Sequence, residues 1–162
     1  MGLLKCMGVA MMLLPNTICD SKELIEEKPI DLSKPPIKLT ILPSNLLQAL
    51  IHIESSNNDS CIGDKHMKVP SIGCLQIRPI MVCEANRILK IQQLPKRFKN
   101  KDRWSRIKSI EIFNVWKNYH HKSSSNEVIA RCWNGGPKGY QNPSTIYYWS
   151  KVKKYLKFKF GN

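Results

Sequence analysis

The stretch Leu46–Ser56, reading Leu-Leu-Gln-Ala-Leu-Ile-His-Ile-Glu-Ser-Ser, constrains the fold more than any other. Leu46, Leu47, Leu50, Ile51 and Ile53 form an apolar face too broad to leave in water, so the stretch reads as a core helix. Ser44 or Asn45 is suited to cap its start. It is expected to end near Ser56, because the Ser-Ser-Asn-Asn-Asp-Ser run competes for backbone hydrogen bonds. Glu54 therefore falls where a buried helix emerges into a loop. Apolar neighbours raise a carboxyl pKa, and a raised carboxyl can serve as a general acid near neutrality. By itself this is a common arrangement, since most glutamates at helix ends are merely solvated.

The rest of the chain divides around that helix. Met1–Pro15 has Lys5 followed by the apolar run Cys6–Leu14, too short to span a bilayer and shaped like a small signal peptide. Residues 1–19 are therefore expected to be a leader or an apolar N-terminus. Residues 20–43 carry Pro29, Pro35, Pro36 and Pro43 and read as a linker. The folded domain is expected over 44–156, with a basic tail at 157–162. Within the domain, Cys61–Ser71 reads as a loop and Gly73–Arg78 as a short strand or turn. Pro79 opens a helix at its first turn. Trp104, Ile107, Ile110, Phe113 and Trp116 recur every third residue, with Tyr119 next, and predict a helix whose aromatic stripe packs in the core. Glu127–Trp133 predicts another helix, Asn134–Gly139 a glycine-rich turn, and Ser144 or Thr145 the cap of a last helix through Leu156. The fold class is mainly α, with little strand.

Charge narrows the partners. Lys and Arg number 26 against 12 Asp and Glu. The first 40 residues are neutral, so the whole net charge of +14 lies on residues 41–162, the expected domain and its tail. Such a field favours a polyanionic partner: nucleic acid, an anionic membrane surface or a cell wall. The six cysteines contain no C-x-x-C pair, so a zinc site is not expected, and no other metal or cofactor is expected either. In an exported chain, Cys61, Cys74, Cys83 and Cys132 would form two bridges in any of three connectivities. In a reduced one they are small buried hydrophobes.

Four motifs in order carry a resemblance. His52-Ile53-Glu54-Ser55 is followed by Gly73-Cys74-Leu75-Gln76-Ile77-Arg78-Pro79. Later come Ala130-Arg131-Cys132-Trp133-Asn134-Gly135-Gly136-Pro137 and Ser144-Thr145…Tyr148-Trp149-Ser150-Lys151-Val152. These resemble the Glu-Ser, Gly-Leu-x-Gln-Ile-x-Pro and Asn-Gly-Gly-Pro…Tyr-Trp-x-Lys-Val motifs of the lytic transglycosylase and goose-type lysozyme-like superfamily, in its phage and bacterial branch. The likeness covers roughly residues 45–155. Cys74 and Cys132-Trp133 depart from the commoner residues.

The resemblance implies an α+β lysozyme-like domain with a glycan cleft, acting on the β-1,4 bond between N-acetylmuramic acid and N-acetylglucosamine. Glu54 would be the catalytic acid/base and Ser55 would orient it. Gln76 would contact sugar N-acetyl or hydroxyl groups, Asn134 would line the cleft floor, and Tyr148 would reach Glu54 or the sugar. Asp59 and Asp64 are the nearby acids that a hydrolase would use as a second carboxylate, and Asp64 is otherwise a substrate ligand. Without one, the substrate's own 6-hydroxyl attacks and leaves a 1,6-anhydro end, the lytic transglycosylase outcome. The expected partners are peptidoglycan strands and anionic wall polymers, with no nucleic acid, and the protein is expected to be a monomer. The expected location is secreted or at the cell envelope, or else a phage enzyme released without an export signal. The rivals are a non-catalytic wall-binding protein on the same fold and a basic nucleic-acid module. Trp133 and Trp149 are candidate sugar-stacking residues, although core packing serves equally well.

Overall fold

The computed structural model describes residues 44–161. The leader at 1–19 and the linker at 20–43 lie outside them. Five α-helices are described: α1 (Asn45–Ser55), α2 (Pro79–Ile91), α3 (Arg106–His120), α4 (Asn126–Gly135) and α5 (Thr145–Phe160). Short 3-10 turns cover Asn100–Trp104 and Gly139–Gln141. The domain is thus mainly α.

Local chemistry accounts for most helix starts. Ser44 Oγ accepts from the Leu47 amide of α1, Ser105 Oγ from Lys108 of α3, and Ser125 Oγ from Val128 of α4. Each bond satisfies an amide that has no partner inside the helix. Pro79 sits in the first turn of α2, where its missing N–H is not needed. α1 stops at Ser56, whose left-handed backbone lets its amide bond back to His52.

One apolar core draws on all five helices. α1 contributes Leu46, Leu47, Ala49, Leu50 and Ile51, and α2 contributes Val82, Ala85 and Leu89. Ile112 and Phe113 of α3, Ile129 and Ala130 of α4, and Val152 and Leu156 of α5 complete it. α5 packs against both α1 and α4, while α2 packs against α3. His52 of α1 stacks on Tyr155 of α5 with ring centroids 4.3 Å apart, which ties the two helices together.

The aromatic stripe of α3 is only half internal. Ile110, Phe113 and Trp116 are buried, but Trp104 is 42% exposed, Ile107 61% and Tyr119 40%. Trp104 also belongs to the 3-10 turn rather than to α3. A period of three slips about 60° per step around a helix of 3.6 residues per turn. Six such residues therefore wind around the helix, and only the middle ones keep facing the core. Trp133 of α4 packs edge-on against Phe113 and Trp116, each at 5.1 Å, and is thus spent on the core.

Two further expectations change. The residues placed in a tail at 157–162 continue α5 as far as Phe160, and Gly161 closes the helix in a left-handed conformation. Lys157 and Lys159 lie in that last turn, where positive charge favours the carbonyl end of the helix dipole. The strand element reduces to isolated bridges between Ile62 and Ile72 and between Ile72 and Ile77. Among the described residues, Cys61, Cys74, Cys83 and Cys132 form no disulfide, and Cys74 and Cys132 are buried.

The loop between α1 and α2 is held by backbone and side chain together. Ile72 and Ile77 exchange amide–carbonyl bonds, and the Gly73 amide donates to Cys61 O. The buried Arg103 side chain donates to the Pro70, Ile77 and Asn100 carbonyls, pinning this loop to the 3-10 turn. Gly73 has φ +79, and a Cβ there would lie 2.0 Å from the Arg103 carbonyl oxygen. Gly73→Ala is therefore expected to destabilise the domain by about 2 kcal/mol or more, with strain and clash adding. Urea denaturation of the two proteins checks this.

Candidate active site

Glu54 lies in the last turn of α1, partly buried, with apolar core beneath it. From α5, the Tyr148 hydroxyl donates to Glu54 Oε1 at 2.6 Å. The pair is 94 residues apart in sequence and is brought together by the α1–α5 packing. Burial pushes the Glu54 carboxyl up from its ordinary 4.5 to about 7. The Tyr148 hydrogen bond opposes that rise by favouring the carboxylate, and the negative charge of Asp64 adds to it. Burial also pushes the Tyr148 hydroxyl well above the ordinary phenol range, with the charge and hydrogen bond of Glu54 acting in the same direction. Tyr148 thus stays protonated and acts as a fixed donor. Glu54 is poised to hold or release a proton near neutral pH, the property a general acid/base needs.

The other sequence-selected residues fall into different roles. Asp64 is exposed in the loop after α1, with φ +46, close enough for its charge to reach Glu54. Its carbonyl accepts from the Met67 amide. Asp59, the other nearby acid, is held by Arg106 in an ion pair of 2.9 Å, and Arg106 also donates to the Asn57 carbonyl. Asp64, by contrast, has no ion pair among the described residues.

Ser55 does not orient Glu54 through its hydroxyl. It is buried, and its Oγ donates to the Ile51 carbonyl one turn back at 3.0 Å. A side chain that follows Glu54 directly on a helix points about 100° away from it, which turns Ser55 inward. Gln76 is likewise occupied. Its Nε2 donates to Gly73 O at 2.8 Å and to Cys61 O at 3.2 Å, and its Oε1 accepts from the Ser71 hydroxyl at 3.0 Å. In this arrangement the amide is a clamp for the loop. Gly63 makes room for it, since a Cβ there would lie 2.1 Å from Gln76 Oε1. Asn134 is exposed in the last turn of α4, and no hydrogen bond joins it to Glu54.

Sequence reasoning did not single out the support beneath Tyr148. Arg131 of α4 donates from Nε to Thr145 Oγ1 at 3.0 Å and pairs with Glu127 at 3.0 Å. The Thr145 hydroxyl also lies 2.7 Å from the Gly139 carbonyl and 2.8 Å from that of Asn142. This network fixes the first turn of α5, one turn before Tyr148. Arg131 stood inside a motif already quoted, so the signal was present without a role attached to it.

No group of His, Cys, Asp and Glu that could hold a metal ion occurs among the described residues. A separate groove of about 440 Å³ runs beside α1, lined in part by Gln48, Ile51, Arg106 and Tyr155. None of the candidate site residues lines it, and its Arg106 is already bound to Asp59. The groove is thus separate from the Glu54–Tyr148 pair.

Tyr148→Phe keeps the ring and removes the donor. The Glu54 pKa is then expected to rise further above 7, because the lost bond favoured the carboxylate. NMR titration of the Glu54 carboxyl reads that shift directly. In comparisons with known proteins, no family model and no curated protein matches the chain.

Proposed function

We propose that the chain is a peptidoglycan lytic enzyme, cleaving between N-acetylmuramic acid and N-acetylglucosamine as a lytic transglycosylase of lysozyme-like fold. The observation that carries this reading is the Glu54–Tyr148 pair, a carboxyl raised to about 7 and held by a fixed donor at 2.6 Å. Its place at the end of a core helix, before a Gly-x-Leu-Gln-Ile loop, agrees with the motif order that the sequence suggested.

In the proposed mechanism, protonated Glu54 donates to the bridging oxygen as the glycosidic bond breaks. The resulting carboxylate is stabilised by the Tyr148 hydroxyl. Glu54 then accepts the proton of the sugar's 6-hydroxyl as that oxygen closes on the anomeric carbon, leaving a 1,6-anhydro end. Burial supplies the proton at the first step, and Tyr148 supports the charge at the second.

A hydrolase is the second reading, and Asp64 is the observation that favours it. Its charge reaches Glu54, and it has no ion-pair partner among the described residues. In a hydrolase, Asp64 would assist an attacking water or the cationic sugar. Purified protein is expected to clear a peptidoglycan-loaded gel, and Asp64→Asn is expected to keep clearing it within a few fold. A loss of about 100-fold or more in Asp64→Asn would instead favour hydrolysis, on the scale expected for a general acid/base group. A folded wild-type protein that clears nothing overturns the enzyme reading.

A further inference from the structure

The outward face of α5 plays no part in the chemistry assigned to Glu54. Val152 and Leu156 turn inward to the core, and Tyr148 turns to Glu54. Lys151, Lys153, Lys154 and Lys157 are all exposed, and α5 contains no acidic residue. None of these four lysines has a carboxylate partner among the described residues. At 100° per residue they fall within one arc of about 160°, so their charges act on the same surface.

Apolar groups stand among those charges. Phe158 is 86% exposed and Ile146 53% exposed within the same arc. Tyr147 lies between them, with Lys151 Nζ 4.4 Å from its ring centroid. A soluble polyanion would neutralise the lysines but give Phe158 nothing to enter. An anionic bilayer surface offers phosphates for the lysines and an acyl boundary for the phenyl ring.

We propose that the outer face of α5 docks on an anionic phospholipid bilayer, with the lysines on headgroup phosphates and Phe158 inserted at the interface. The site is independent of glycan cleavage, so Glu54→Gln is expected to bind vesicles as the wild type does. The two readings can therefore fail separately.

Vesicle co-sedimentation of the full chain tests the proposal, using equal parts phosphatidylglycerol and phosphatidylethanolamine, against phosphatidylcholine alone. Binding is expected to the anionic vesicles only. Lys153→Glu with Lys154→Glu is expected to weaken it about 30-fold or more, each lysine near an anionic surface being worth about five-fold. Phe158→Ser, which leaves every charge in place, is expected to weaken it about ten-fold. Lys153, Lys154 and Phe158 are all exposed, and thermal unfolding confirms that each variant is folded. Equal binding by folded variants overturns the proposal and assigns the affinity to another segment, such as the apolar N-terminus. Loss with the lysine variant but not with Phe158→Ser also overturns it, because the face would then respond to anionic charge alone with no insertion of Phe158. No binding to anionic vesicles overturns it outright.

Discussion

Glu54→Gln is expected to lower glycan cleavage by about 100- to 10,000-fold, the range that a positioned general acid/base contributes. Glutamine keeps the shape of the side chain and can still accept the Tyr148 hydrogen bond, so the site geometry is preserved. What disappears is the transferable proton. The wild-type rate should also carry the signature of that proton. The proposed first step requires the acid form of Glu54, whose pKa lies at about 7. Activity is therefore expected to fall as pH rises through about 7, and Tyr148→Phe should move that descending limb to higher pH. Initial rates of turbidity loss across this range measure both effects.

The same substitution is expected to stabilise the protein at alkaline pH. Folding raises the Glu54 pKa from 4.5 to about 7, so the folded chain keeps a proton that the unfolded chain has already released. The stability linked to this proton is fully present below about pH 4.5. It is lost as pH rises to and through about 7, because the folded state must then bury a charge. The gap corresponds to about 3 kcal/mol between those limits. Glutamine does not titrate, so Glu54→Gln lacks this loss. Relative to wild type, it should gain roughly 3 kcal/mol on going from about pH 4.5 to about pH 8, the other carboxylates being common to both proteins. Urea unfolding of both proteins at the two pH values measures the difference. Equal pH dependence would mean that Glu54 is not desolvated in the fold. A site that opposes stability in this way is the usual consequence of placing a titratable group for chemistry.

The starts of α1 and α2 were legible because they depend on local chemistry. Ser44 and Pro79 act within one turn of themselves, so neighbouring residues alone disclose their roles. The aromatic stripe of α3 misled because a strict period of three resembles a helical face over short stretches, whereas the helix rotates it out of the core. The fate of residues 157–160 turned on packing, with Leu156 buried and Phe160 resting on the core, which carries α5 past the expected stop.

At the site, Glu54 was legible as a carboxyl on a buried helix end. Its contact with Tyr148 was not legible from periodicity, since it depends on how α1 and α5 pack, and only the motif resemblance anticipated it. Gln76 shows the opposite case. Its motif position suggested a sugar ligand, but its φ of +49 and the carbonyls around it direct its amide into the loop. Ser55 turned away for a simpler reason, the rotation of one residue along a helix. Arg103 carried no sequence signal at all, as one basic residue among many, yet it binds three loop carbonyls from a buried position.

Mass spectrometry of the soluble fragments released from purified peptidoglycan tests the central claim most directly, with wild type and Glu54→Gln compared at pH about 6. The account predicts fragments ending in 1,6-anhydro-N-acetylmuramic acid from wild type and essentially none from the variant. Absence of wild-type fragments, or equal release by the folded variant, would contradict it.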